Sequence, residues 1–186
     1  MKRGGVEVIK AEAKLAGRGK VVADGKEYEA ANILIATGSV PACPPIPGLR
    51  DNPKVLDSTG ILALEEIPQS LVIIGGGVIG LEFASIFHRL GSEVTMVEFA
   101  KEILPPFDSD IAKRLKQTLT KSGIAINTSA GVTGVEQVEG GLRVNFEQKG
   151  KALFVEADTV LVAVGRGART SGLNLESTGV EYTKRG

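Results

Sequence analysis

The stretch Leu71-Val-Ile-Ile-Gly-Gly-Gly-Val-Ile-Gly-Leu-Glu82 constrains the fold of this chain more than any other. A short apolar run, right for a buried strand, leads straight into Gly75, Gly77 and Gly80, spaced G-x-G-x-x-G. An amphipathic segment follows at once. Strand, tight turn and helix in that order open a βαβ unit, and with this glycine spacing they form a dinucleotide fingerprint. Gly75 permits the tight turn. Gly77 lets backbone approach a pyrophosphate, and Gly80 lets the helix pack closely on the strand. The helix start then offers free N–H groups and the positive end of its dipole to the phosphates.

Glycine-rich turns are common, so the context decides. Ile79, Phe83, Ile86, Phe87 and Leu90 form one apolar stripe at helical spacing, and Gly91 stops that helix. Val94-Thr-Met-Val97 reads as a second strand ending at Glu98, about twenty residues past the glycines, where an acid takes the adenosine ribose hydroxyls. The alternative is a structural glycine turn with an incidental surface glutamate. A carboxylate at position 98 also repels a 2′-phosphate, and Phe99 and Ala100 follow where NADP sites usually place arginine. Lys101 is the first cation. NAD is therefore favoured over NADP, while FAD would suit the same acid.

Bulk properties narrow the function classes. The 186 residues suffice for one domain and parts of another, and 42% hydrophobic content supports a core. Lysine plus arginine and aspartate plus glutamate balance at 22 each, so nothing points to nucleic acid or an anionic membrane surface. No stretch reads as a membrane span, and no apolar signal core follows Met1-Lys-Arg-Gly-Gly. A single cysteine, Cys43, fits a reducing cytoplasm, so the location expected is cytoplasmic. No metal site is expected.

Along the chain, Val6–Lys14, Lys20–Ala23 and Lys26–Glu29 read as an antiparallel meander with a turn at Asp24-Gly25. Ile33–Ala36 reads as a short buried strand ending at Thr37-Gly38-Ser39. Val40–Pro53 holds Pro41, Pro44, Pro45, Pro47 and Pro53, which marks a linker and not a core element. Asp57–Glu66 reads as a short helix. Asp108 is an N-cap candidate for a helix with the stripe Ile111, Leu115 and Leu119, stopped by Gly123. Ile124–Ile126 is a third strand. Val132–Val138, Leu142–Glu147 and Ala152–Val155 form a second meander, and Thr159–Val164 is a buried strand ending at Gly165-Arg166. Ala31–Ser39 and Ala157–Arg166 echo one another, each a polar lead, a buried strand and a glycine. The echo suggests two related nucleotide-binding domains, the first without its beginning.

The stretches Asn32–Ser39, Gly75–Glu82, Leu90–Glu98, Ile103–Asp110 and Val162–Arg166 together resemble the pyridine nucleotide–disulfide oxidoreductases, most closely the dihydrolipoyl dehydrogenases. The resemblance implies an α/β architecture. A Rossmann-like NAD-binding domain, three-layered with a parallel sheet and an antiparallel meander, follows a partial FAD-domain β segment. Residues 1–42 would be the FAD-domain remnant, 43–167 the NAD domain with its proline-rich lead-in, and 168–186 the return toward the FAD domain. Gly75, Gly76, Gly77, Val78, Ile79 and Gly80 would hold the NAD pyrophosphate, with Val78 between nicotinamide pocket and flavin, and Glu98 the adenine-side ribose. Glu82 matches a glutamate beside the nicotinamide, Val132 a small apolar residue along the adenosine, and Gly165 backbone at the nicotinamide end. Thr37, Gly38 and Ser39 match an FAD contact. Read without the resemblance, Glu82 is a solvated glutamate in a first helical turn and Val132 a plain strand residue.

The departures are equally informative. The family's chemistry needs a redox-active cysteine pair, and this chain has only Cys43. The family's first FAD fingerprint and its His–Glu acid–base pair are absent, and the only histidine, His88, reads as a surface residue on the polar side of the first helix. No residue here is assigned as catalytic, and the isolated chain is expected to bind dinucleotide without turning over dihydrolipoamide. The resemblance implies a homodimeric parent using FAD and NAD and leaves open its place in a 2-oxoacid dehydrogenase complex. The chain itself is expected to self-associate through orphan strands. Two other readings stand beside this one: the NAD-binding part of a mercuric- or glutathione-reductase-like relative, and a non-catalytic NAD-binding module.

Overall fold

A computed structural model describes residues 4–183. The chain divides into two compact units, Met1–Val40 with Gly167–Gly186, and Pro41–Arg166. Met1–Arg3 and Lys184–Gly186, parts of the first and last segments read from sequence, lie outside the described residues.

In the first unit, β1 (Ala13–Leu15), β2 (Lys20–Ala23) and β3 (Lys26–Glu29) form an antiparallel sheet in that order. Asp24 and Gly25, both at positive φ, make the turn between β2 and β3, as the Asp-Gly pair predicts. The segment from Gly167 docks on β1: the Leu15 N–H donates to Leu173 O at 2.9 Å and Asn174 Nδ2 donates to Leu15 O at 2.9 Å. Leu15, Ala23 and Leu175, the last in a short 3-10 turn, are each buried in this unit.

Two expectations fail here. Only Ala13–Leu15 of the segment expected from Val6 pairs as a strand, and Val6, Val8 and Ile9 are exposed. Ile33–Ala36 is neither a strand nor buried, and Leu34 is 90% exposed. An apolar run becomes a buried strand only where neighbours satisfy its backbone and cover its side chains. Among the described residues none does so. The echo between Ala31–Ser39 and Ala157–Arg166 is therefore one of sequence and not of burial.

The chain passes between the units through β4 (Ser39–Pro41) and β13 (Arg166–Ala168), which pair with each other. The second unit is built on β5 (Val55–Leu56), β6 (Ser70–Ile74), β7 (Glu93–Val97), β8 (Ala125–Asn127) and β12 (Thr159–Val162). They form a parallel sheet ordered β5-β12-β6-β7-β8. Helices α1 (Val78–Arg89) and α2 (Ser109–Ser122) link β6 to β7 and β7 to β8. A meander of β9 (Ala130–Val138), β10 (Gly141–Gln148) and β11 (Lys151–Ala157) leads into β12.

Strand alternation sorts the core into two layers. Leu71, Ile73, Val94, Met96 and Leu161 pack against α1 and α2. Val72, Ile74, Val97, Val160 and Val162 pack against Leu142, Val144 and Phe146 of the meander. Helices, parallel sheet and meander therefore make the three layers expected. Ser70 and Asp158 lock the start of β6 to the β11–β12 turn reciprocally: each backbone N–H donates to the other's side-chain oxygen at 2.9 Å.

The helices differ from their sequence stripes by a small rotation. In α1 the buried residues are Gly80, Leu81, Phe83, Ala84 and Phe87, whereas Ile86 and Leu90 are exposed. The small residues Gly80 and Ala84 let the backbone sit close to the sheet, and that contact sets the inward face. In α2, Ala112 and Leu119 are buried and Ile111 is exposed. Asp108 takes the N-cap position but makes no side-chain cap bond, and Gly123 (φ 116°) ends the helix as expected. The helix expected over Asp57–Glu66 shrinks to a 3-10 turn at Ile61–Ala63. Asp57 Oδ1 accepts from the Thr59 and Gly60 N–H groups at 2.8 Å, favouring a turn over a continuing helix. The proline-rich stretch is more than a linker. Leu49 is buried in the meander-side core, and the Val135 N–H donates to Pro47 O at 2.9 Å.

Candidate functional site

A cleft of about 1180 Å³ opens at the carboxyl ends of β6, β7 and β12. In a parallel α/β sheet this edge gathers the loops and the helix N-termini, so ligands bind there. One wall is the glycine turn with the head of α1: Gly75, Gly77, Val78 and Ile79. Flanking it on either side run the ends of β7 and β12, with Val97, Glu98, Ala163, Val164 and Gly165. The first strand of the meander adds Ala130, Gly131, Val132 and Thr133, and Pro44 and Ile46 come from the proline-rich stretch.

The three fingerprint glycines answer to different constraints. Gly75 sits at φ 113°, and a Cβ there would lie 2.4 Å from Ala163 O. A Cβ on Gly80 would lie 2.3 Å from Gly75 O and 3.3 Å from Ile73 Cγ2, so this glycine sets the helix–strand approach. Gly77 is the N-cap of α1 with extended backbone, and a Cβ on it would meet nothing within 4 Å. Its open side is the cleft itself. Gly75 and Gly80 are thus required by the protein's own packing, while Gly77 is free of packing constraint and borders the cavity.

Glu98 is 9% exposed at the end of β7, where its side chain folds back beneath the glycine turn. Its Oε2 accepts from the Gly76 N–H and its Oε1 from the Ala100 N–H at 2.6 Å. The Gly76 carbonyl accepts from the Leu104 N–H at 2.9 Å. A Cβ at Gly76 would come within 3.0 Å of the Glu98 side chain, so Gly76 is fixed by Glu98 and not by the cleft.

Of the residues read from sequence, Gly75, Gly77, Val78, Ile79, Glu98, Val132 and Gly165 all border this one cavity. Gly76 and Gly80 lie behind it as supports. Glu82 is exposed on α1 outside the lining. In the first unit, Thr37 and Gly38 are exposed and Ser39 is half-buried; the Thr37 hydroxyl donates to Arg169 O at 2.6 Å. Among the described residues these three line neither the cleft nor the cavity bordered by Leu15, Ile33 and Ile35 in their own unit. His88 departs from the surface reading: it is half-buried, and its Nε2 lies 2.8 Å from Ser122 O, tying α1 to the last turn of α2. Cys43 is exposed.

Sequence reasoning missed the rim. Phe99, Lys101, Pro105, Pro106, Ser129, Glu147 and Lys149 also line the cleft. In the sequence Phe99 and Lys101 signify only the absence of an arginine after Glu98, and Glu147 only the end of a strand. Leu104, Ser129 and Lys149 in these loops adopt left-handed backbone, a conformation that no sequence pattern here announces.

Residues 1–186 match the family described as pyridine nucleotide-disulphide oxidoreductase. The chain belongs to that family. Dihydrolipoyl dehydrogenase 3 of Pseudomonas putida is 45% identical over 97% of this chain and 40% of its own length. Leghemoglobin reductase of Glycine max is 43% identical over 97% of the chain and 36% of its own length. Among solved structures, the HOCl-induced flavoprotein disulfide reductase RclA of Escherichia coli superposes with a TM-score of 0.84 at 37% identity. That match covers 97% of this chain and 41% of the reductase. The chain thus spans about 40% of the length of the curated relatives it matches. Among the described residues, no helix is long and apolar enough to cross a membrane.

Proposed function

We propose that residues 43–167 are the NAD(H)-binding domain of a flavin-dependent disulfide oxidoreductase, most like a dihydrolipoyl dehydrogenase. The whole protein would oxidise dihydrolipoamide to lipoamide while NAD+ becomes NADH. One observation carries the reading: Gly77, bare of packing constraint, and the Glu98 carboxylate border the same cleft at the carboxyl edge of the parallel sheet. That is a cradle a Cβ would fill, next to an acceptor for ribose hydroxyls, and it suits NAD.

In this reading Gly75 to Gly80 hold the pyrophosphate at the α1 N-terminus and Glu98 holds the adenosine ribose. Val132 lies along the adenosine, with Gly165, Val78 and Glu82 toward the nicotinamide. NAD supplies the hydride chemistry, and this domain binds and orients it. Thr37, Gly38 and Ser39 remain the proposed FAD contact of the whole protein, and no step is derived through the flavin. The same reading makes the whole protein a cytoplasmic homodimer and leaves open its place in a 2-oxoacid dehydrogenase complex.

The test is cofactor preference. Titration calorimetry of the chain is expected to show tighter binding of NAD+ and NADH than of NADP+, because a 2′-phosphate beside the buried carboxylate is repelled whereas ribose hydroxyls donate to it. A preference of about tenfold corresponds to about 1.4 kcal/mol, a modest demand on one like-charge contact. Equal or reversed affinity would remove the ribose role from Glu98.

A further inference from the structure

We infer that Glu98 is the positioning residue for the glycine turn as well as the proposed ribose ligand, so that ribose and pyrophosphate recognition are coupled through one carboxylate. This deepens the reading above and rests on it for its ligand.

The argument starts from where the polar groups of Gly76 go. A backbone N–H out of reach of water needs an acceptor. Gly76 is buried in the middle of G-x-G-x-x-G, and no strand partner reaches its N–H. Glu98 Oε2 supplies the acceptor from across the β7 end, 22 residues further along the chain. The Gly76 carbonyl is held from the same side by the Leu104 N–H. Leu104 adopts a left-handed backbone (φ 51°), a conformation a leucine keeps only where surrounding contacts hold it. Both polar groups of Gly76 are therefore clamped by residues 98–104. The second carboxylate oxygen takes the Ala100 N–H, closing the loop on itself.

A carboxylate oxygen carries two lone pairs, so one backbone bond on each leaves capacity for ribose hydroxyls. The ligand need not break the clamp to bind. It adds to a carboxylate already fixed in place, and the fixed carboxylate already holds the turn whose next residue, Gly77, faces the cleft. Preorganisation of this kind lowers the ordering cost of binding at the phosphates, beyond any direct contact with the ribose.

Glu98→Gln separates the two roles. A glutamine keeps the shape but offers one carbonyl oxygen, and its NH2 group would face a backbone N–H donor. One of the two amides must lose its acceptor. Binding of NAD+ and of its 2′,3′-dideoxyadenosine analogue to the chain and to this variant forms a cycle. A carboxylate acting through the ribose hydroxyls alone makes the mutation silent toward the dideoxy analogue, or slightly favourable as a negative charge is removed near its pyrophosphate. The expected result is that Glu98→Gln binds that analogue about tenfold more weakly than the parent chain does, matching loss of one charge-assisted bond. Equal affinity of the two proteins for the analogue would overturn the inference.

Amide exchange in the ligand-free chain is the second arm. The Gly76 or the Ala100 amide is expected to exchange at least about tenfold faster in Glu98→Gln. Unchanged exchange at both would also overturn it. Glu98→Asp, which draws the carboxylate back by one methylene, serves in the same two measurements if the glutamine variant does not fold. Should the parent chain bind neither ligand, the dinucleotide reading fails, and the exchange arm still decides the clamp.

Discussion

Gly77→Val is expected to leave the fold standing and to abolish saturable NAD binding, whereas Gly80→Ala is expected to damage the fold first. The two positions are three residues apart in one motif, yet their surroundings differ completely. A Cβ on Gly77 would meet nothing within 4 Å beyond its chain neighbours, and its backbone is extended, a conformation valine adopts readily. Its cost to stability is the exchange of a glycine N-cap for a poorer one, about 1 kcal/mol. Its isopropyl group would stand in the cleft where a pyrophosphate must approach backbone. At Gly80 even one methyl would lie 2.3 Å from Gly75 O. Helix and strand must then separate, costing about 3 kcal/mol, the upper end of the usual range for overpacked cores, because the clash is with backbone. For a chain of this size that lowers the thermal midpoint by roughly 6 °C or more. Thermal unfolding and calorimetry on both variants check the pair. Wild-type NAD affinity in Gly77→Val would mean that the phosphates lie elsewhere.

That contrast also shows how much of the site was legible in the sequence. The β6–α1–β7 unit could be read because local rules agree there: an apolar run, glycines at a motif spacing, a 3.6-residue stripe and an acid at the next strand end. The tight turn at Gly75 and the close helix approach at Gly80 follow from that order and agree with the packing around each, while Gly77 is left open beside the cleft. The rotation of α1 could not be read, because periodicity weights Ile86 by its hydrophobicity. The actual face is set by how closely Gly80 and Ala84 approach the sheet. Leu49 was hidden inside a proline-rich stretch whose composition says linker, and its burial depends on β9, far along the chain. The clamp between Glu98 and Gly76 was equally hidden: sequence gives an acid at the ribose distance but not the neighbour its free oxygen finds. Ile33–Ala36 failed for the opposite reason. Its residues carry every mark of a buried strand, but burial is a property of the surroundings and not of the segment.

The exposed segments of the first unit are expected to be the least protected part of the molecule. Neither 6–12 nor 31–36 joins a sheet among the described residues. Val6, Val8, Ile9, Ile33, Leu34 and Ile35 stand in solvent. Leu34, 90% exposed, forgoes most of the about 1.5–3 kcal/mol that full burial would contribute and the others forgo part of it, so little opposes local opening. The second unit differs: Leu71, Val72, Ile73 and Ile74 are buried on both faces of the sheet between two core layers. Hydrogen exchange should therefore be near the unstructured rate at 6–12 and 31–36, intermediate in β1–β3, and slowest in β6 and β7. Extended apolar segments without partners are also templates for pairing with another copy. Sedimentation velocity is expected to show association that grows with chain concentration. Protection of 6–12 and 31–36 equal to that of Leu71–Val97 in dilute, monomeric protein would contradict this account, because it would require partners for these segments that the contacts of the unit do not provide.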